Sequence, residues 1–143
     1  MKSYARILLA FAAIILAIGA FLHGSAFPKI ESAIASSDLA PFVGKSLKVL
    51  WLIDSVTSLV IALVFVLVAT NPASASRGVV ALVALIPTTT AILIYYFIGN
   101  FIGGHVHLAA ALLSFAAALL KSPECRCRSR FPERIGSRVV PGR

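Results

Sequence analysis

The sequence has few charged residues, and acidic residues are the rarest of them. Of 143 residues, 13% are charged, five are Asp or Glu, and 59% are hydrophobic. Soluble domains carry about 25% charged residues, and a chain of this length has too much surface to hide so much apolar area in a water-soluble core. The composition therefore excludes a soluble globular domain and predicts an integral membrane protein.

Cysteine is nearly absent, and the usual catalytic motifs are missing. Cys125 and Cys127 are the only cysteines, and they suit neither a disulfide across a bundle nor a zinc site, which needs about four ligands. We interpret them as unpaired thiols. The sequence also lacks a nucleophile–base–acid triad, a glycine-rich phosphate loop after a strand, a dinucleotide fingerprint and a zinc-protease helix.

Four apolar stretches are long enough to cross a bilayer, whose ~30 Å core needs about 20 helical residues. They cover about residues 4–22, 47–69, 79–98 and 101–120. Lipid offers no partners for unpaired backbone groups, which excludes irregular spans, and the alanine-rich, helix-period pattern lacks the alternation of a membrane barrel. We predict an all-α polytopic membrane protein, an antiparallel bundle of four transmembrane helices formed as one domain by residues 1–120.

Two segments leave alternatives open. In the connection over residues 23–46, Pro28 could begin a short amphipathic helix at the membrane surface, or the segment is an irregular loop. The first hydrophobic stretch has the basic start of a signal peptide and small residues at Gly24-Ser25-Ala26 for cleavage. Its hydrophobic run is long for that role, so we favour a transmembrane helix.

Basic residues at the C-terminal end predict the orientation. Residues 121–143 carry seven of the thirteen Lys and Arg residues, contain three prolines and show no helical apolar stripe, which predicts a disordered tail. Basic residues stay cytoplasmic, and the count is largest inside when both termini are cytoplasmic. The tail arginines, including Arg126, Arg128 and Arg130, could face anionic lipid, although fixing the orientation is the simpler role.

This topology gathers the unusual polar residues in the extracytoplasmic leaflet. Asp54 lies ~10 Å along the second helix and His107 ~9 Å along the fourth, at 1.5 Å per residue. Helical period places His107 on an inward face of small residues, whereas His105 lies ~200° around the helix, toward the lipid boundary. We predict a ligand-binding cluster of Asp54 and His107, with these secondary members: His23, His105, Tyr95, Ser58 and Thr88.

Three classes of function fit this cluster. An ionisable residue at mid-membrane costs about 2.5–3.5 kcal/mol, which favours a site that binds a small ligand, a lipid or a partner protein. Alternatively, the chain is a redox or metal-dependent enzyme subunit, in which His107, His23 and Asp54 hold a transition metal or the histidines hold haem. In the third class the cluster is only an interhelical hydrogen-bond network in a structural accessory subunit.

The expected partners follow from the same composition. The main partner is the lipid bilayer, and four short helices are also suited to a membrane protein partner or a homo-oligomer. The net charge of +8 resides largely in the tail, so it does not predict nucleic-acid binding.

Overall fold

The chain is all-helical in the part that the structure, a computed structural model, describes, which is residues 3–121. Within those residues 88% are helical and none forms a strand, which confirms the all-α prediction. Apart from Lys121, the predicted tail lies outside the described residues, and with it the following side chains: Cys125, Cys127, Arg126, Arg128 and Arg130.

Five α-helices and one short 3₁₀ helix follow one another along the chain. They are α1 (Ser3–Ser25), α2 (Phe27–Ala35), α3 (Pro41–Thr70), the 3₁₀ helix (Pro72–Ser74), α4 (Arg77–Phe97) and α5 (Ile102–Leu120). Four helices are long and apolar enough to cross a membrane, namely α1 with its continuation into α2, then α3, α4 and α5. This confirms the prediction of four such helices.

The connection after α1 is helical over Phe27–Ala35, with Pro28 in its first turn. Proline suits that place because its missing N–H would have no partner in the first turn. The helical alternative for this segment therefore holds over the irregular one. Its position at a membrane surface stays a prediction.

The helix α3 begins at Pro41, earlier than the predicted start at residue 47. Its first turns pack closely against α2. The contact leaves no room for a side chain at Gly44, where a Cβ would lie only 2.9 Å from Cγ2 of Ile34. Lys48 and Glu31 join the same two helices with a salt bridge of 2.8 Å. Lys45 also lies within these first turns, so the apolar stretch that predicts this helix begins only after it.

The helix α1 lies in the middle of the molecule. It packs against α3 on one side and α5 on the other, α5 packs against α4, and α3 meets α4 at only a few residues. The helices therefore follow the order α3, α1, α5, α4 in space. Small and medium side chains fill these contacts, and they include Ala5, Leu9, Ala12, Leu16, Ile61, Phe65, Ala110 and Ala117.

Polar contacts mark the two ends of this arrangement. At one end, which we call the Arg6 end, Nε of Arg6 donates to the Ala69 carbonyl at 2.7 Å. There the buried Lys121 amine also donates to the carbonyls of Pro72 and Ala75. At the other, the His23 end, Trp51 Nε1 donates to the carbonyl of His23 at 2.9 Å.

Candidate functional site

The side chain of His23 is positioned by Trp51. His23 lies near the end of α1, and its ring stacks on the Trp51 indole with a centroid separation of 3.9 Å and an interplanar angle of 14°. The next residue, Gly24, faces Ser55 of α3, since a Cβ on it would lie in ordinary contact with Oγ of Ser55 at 3.7 Å. The stack and the indole hydrogen bond together set both the ring and the backbone of His23.

Asp54 lies one helical turn beyond Trp51 and faces the same imidazole. Its Oδ2 is 3.6 Å from Nε2 of His23, and the two side chains are 39% and 26% exposed, respectively. That distance is longer than a hydrogen bond, so the pair is held at ion-pair range without a direct bond. The partial exposure leaves one edge of the pair open.

His107 lies on the neighbouring helix α5 and is buried, with 7% of its surface exposed. In sequence it follows Val106, whose side chain meets Gly19 one helical turn before His23 on α1. Within residues 3–121, neither Nδ1 of His107 nor Nε2 of His23 has a hydrogen-bond partner. We call these three residues, His23, Asp54 and His107, the His23 cluster.

The direct neighbour of Asp54 is thus His23, and His107 completes the cluster without a hydrogen bond to the carboxylate among the described residues. The sequence predicts Asp54 and His107 as the main pair of the site, with His23 as a secondary member. His23 stands at the end of a long helix, and its depth relative to α3 depends on how the two helices slide along each other. Periodicity within one helix carries no information on that offset.

His105 belongs to a different group of residues between α4 and α5. Its Nδ1 is 2.6 Å from the Tyr95 hydroxyl, and its Nε2 is 2.7 Å from Oδ1 of Asn100. Since the amide oxygen only accepts, Nε2–H donates to Asn100 and Nδ1 accepts from Tyr95. Both ring nitrogens are therefore occupied, and His105 and Tyr95 are tied to each other rather than to the His23 cluster.

The remaining predicted members lie apart from this contact. The Thr88 hydroxyl donates to the carbonyl of Ala84 at 2.8 Å, within its own helix, so it is not directed at the cluster. Ser58 is buried one turn beyond Asp54 on α3. Of the seven predicted ligand-binding residues, the structure thus pairs His23 with Asp54 and, separately, His105 with Tyr95.

Two residues with direct roles were not among the predicted site residues. Trp51 holds His23, and its spacing of three from Asp54 puts both residues on one helical face. Asn100 binds His105 from the connection between α4 and α5. The spacing of five residues between Asn100 and His105 does not predict this contact. The turn at Gly99, whose φ is +85°, sets the position of Asn100 relative to α5.

The arrangement does not form a recognisable metal centre. Among residues 3–121, no group of three or more His, Cys, Asp or Glu side chains is placed to hold a metal ion. The predicted ligand set of His107, His23 and Asp54 therefore gains no support from the geometry, and haem stays a prediction. Two open grooves, lined by residues around Arg6 and around Phe42, do not include the His23 cluster.

Comparison with known proteins does not narrow the chemistry. The chain matches no known protein family, no curated protein and no solved structure.

Proposed function

We propose that this small membrane protein is an antiparallel bundle with both termini in the cytoplasm and α2 on the extracytoplasmic surface. The charge distribution supports this orientation. Of the described residues, all three carboxylates belong to α2, to the loop after it or to the first half of α3: Glu31, Asp38 and Asp54. The described Lys and Arg residues divide equally, with Lys29, Lys45 and Lys48 at the His23 end and Arg6, Arg77 and Lys121 at the other. The excess of basic residues that favours a cytoplasmic position for the Arg6 end therefore comes from Lys2 and the six arginines that follow Lys121 in the sequence.

Within that orientation, we propose that the His23 cluster binds a small hydrogen-bonding ligand from the extracytoplasmic leaflet. One observation carries the proposal: two buried imidazole nitrogens, on His23 and His107, have no hydrogen-bond partner within residues 3–121, and the nitrogen of His23 lies 3.6 Å from the Asp54 carboxylate. A buried polar atom left unpaired costs about 1–3 kcal/mol. A bound ligand that supplies the missing hydrogen bonds removes that cost.

The chemistry of the cluster favours a ligand that carries a hydroxyl group. A neutral imidazole nitrogen either donates or accepts, and the carboxylate only accepts. A hydroxyl both donates and accepts, so it can donate to Asp54 and accept from an imidazole N–H. A free alcohol, a lipid headgroup and a serine or tyrosine of a partner protein all carry this group.

Access to the cluster is from its edge. The side chains of His23 and Asp54 keep 26% and 39% of their surface exposed, while His107 is buried. A ligand that enters between α1 and α3 therefore meets the Asp54 carboxylate and the His23 imidazole first.

The structural alternative has support of its own, since Trp51 and His23 already join α1 to α3 by a stack and a hydrogen bond. On this alternative the cluster holds helices together and binds nothing. The redox alternative predicts visible absorption from haem or a stoichiometric metal by elemental analysis of the purified protein.

The binding proposal is tested by identifying what the purified protein retains. The full chain is extracted from its membranes in a mild detergent, and small molecules released on denaturation are identified by mass spectrometry. We expect Asp54→Asn and His107→Ala to lose a compound that the unaltered protein holds. His105→Ala is the matched control, because that histidine is on the same helix and is exposed outside the cluster.

The opposite result has a clear meaning. If all variants retain the same compounds while Asp54→Asn and His107→Ala unfold at lower temperature, the cluster is a structural network. Retention of the compound by both variants, without any loss of stability, would leave the cluster with neither role.

A further inference from the structure

An open groove lies between α1 and α3 at the Arg6 end. It has a volume of about 370 Å³ and is lined by Ser3, Arg6, Ile7, Ala10, Ala69 and Thr70. Its wall is mostly apolar, and the small side chains of Ala10 and Ala69 leave the space open. The groove lies at the ends of both helices, where a membrane-spanning helix meets the lipid headgroups.

Arg6 is held at the mouth of this groove by a single hydrogen bond. Its Nε donates to the carbonyl of Ala69 at 2.7 Å, one of the last carbonyls of α3, which have no partner within the helix. The two terminal nitrogens of the guanidinium have no acceptor within residues 3–121. The hydrogen bond thus orients a planar cation whose other donors remain available.

The surrounding charge strengthens this site for an anion. Within the part of the chain that the structure describes, the Arg6 end carries Arg6, Arg77 and Lys121 and no carboxylate. Lys121 is buried with its amine bonded to backbone carbonyls, so its charge adds to the local potential without competing for a ligand.

We propose that this groove binds an anionic phospholipid. The phosphate accepts from the terminal nitrogens of Arg6, whose planar fork suits paired phosphate oxygens, and an acyl chain lies along Ile7 and Ala10. On the proposed orientation this end faces the cytoplasmic leaflet, where anionic lipids attract basic residues. The site is at the opposite end from the His23 cluster and does not depend on ligand binding there.

Native mass spectrometry of the delipidated full chain tests the proposal. Phosphatidylglycerol and phosphatidylcholine are added separately, and the fraction of lipid-bound protein is measured. We expect the unaltered protein to bind phosphatidylglycerol about ten-fold more tightly, the ratio expected for one charge-assisted contact. Arg6→Gln is expected to remove this preference, whereas Arg77→Gln, an exposed arginine at the same end, is expected to retain it.

A second variant separates the groove from the charge. Ala10→Phe fills the space along α1 but leaves the hydrogen bond from Arg6 to Ala69, so we expect it to weaken phosphatidylglycerol binding with the fold maintained. Inorganic phosphate, which lacks acyl chains, is expected not to compete at matched concentration.

Three results would overturn the proposal. Equal losses in Arg6→Gln and Arg77→Gln indicate diffuse attraction to the basic surface. Unchanged binding in Ala10→Phe indicates that no acyl chain occupies the groove. Full competition by inorganic phosphate indicates an anion site rather than a lipid site.

Discussion

At the scale of single residues, the contact between Trp51 and His23 organises the His23 end. The indole supplies a flat apolar face for the imidazole and one N–H for the His23 carbonyl. That carbonyl is near the end of α1, where helix carbonyls need partners from outside the helix. One side chain therefore orients the histidine ring and also satisfies the helix that carries it.

Replacing Trp51 by phenylalanine separates these two roles. Trp51→Phe keeps an aromatic face for His23 but removes the N–H donor, so we expect the free energy of unfolding to fall by about 1 kcal/mol. Thermal unfolding in detergent, followed by circular dichroism, measures the change. Tyr96→Phe is the control, since that exposed aromatic makes no hydrogen bond with the other described residues, and a loss of equal size there would contradict the assignment.

The two histidines of α5 show how far residue-level reasoning reaches. They are two positions apart, so helix geometry points them in different directions, and the structure has His107 buried and His105 exposed. Helix geometry does not predict which atoms each imidazole ring contacts. The Asn100 amide that binds His105 comes from a turn, whose path is not periodic.

At the scale of helices, small residues determine how closely α1 and α5 approach. A Cβ placed on Gly19 would lie 2.8 Å from Cγ1 of Val106, a distance at which atoms overlap. In lipid the gain from packing comes from such close contacts, because apolar side chains gain little by leaving the hydrocarbon. Gly19 thereby brings α5, with His107, toward the end of α1 that carries His23.

A larger side chain at Gly19 is expected to separate these helices. We expect Gly19→Leu to lower the free energy of unfolding by about 1–3 kcal/mol, the usual cost of overpacking. Chemical unfolding of the purified protein in detergent measures it. Gly78→Leu is the matched control on α4, where a Cβ would meet only Oγ of Ser76 at 3.8 Å, and a similar cost there would show that the effect is not due to packing.

At the scale of the whole molecule, the ends differ in charge as well as in chemistry. The Arg6 end carries cations without a described carboxylate, whereas the His23 end carries the His23–Asp54 pair and the Glu31–Lys48 salt bridge between α2 and α3. The proposed orientation rests on the further basic residues of the sequence, Lys2 and the arginines that follow Lys121. The two proposed binding regions, the His23 cluster and the groove beside Arg6, are separated by the length of a transmembrane helix.

The orientation is tested with single cysteines in the connections at opposite ends. In a chain with Cys125→Ser and Cys127→Ser, we introduce Ser37→Cys before α3 or Ala73→Cys after it; both positions are exposed. A membrane-impermeant maleimide is expected to label Ser37→Cys in intact cells and Ala73→Cys only after permeabilisation. The reverse pattern would contradict the proposed topology.

Much of the helical architecture could be predicted from local sequence, but the candidate site could be predicted only in part. Long apolar runs identified four helices, because a lipid-spanning segment must satisfy its backbone internally. The start of α3 at Pro41 was missed, because Lys45 interrupts the apolar sequence within its first turns. Thr88 was predicted as a secondary member of the site, yet its hydroxyl donates a hydrogen bond to the Ala84 carbonyl of its own helix.

By itself the sequence determined the membrane class, the helical content and the direction of each histidine on its own helix, because these depend on composition and on 3.6-residue periodicity. Only the tertiary structure decided that α1 lies between α3 and α5, that His23 contacts Asp54, and that Arg6 reaches the end of α3. These contacts depend on the order, rotation and sliding of neighbouring helices. Several faces carry small residues, so the close fit between particular pairs, such as Gly19 with Val106, determines which faces meet.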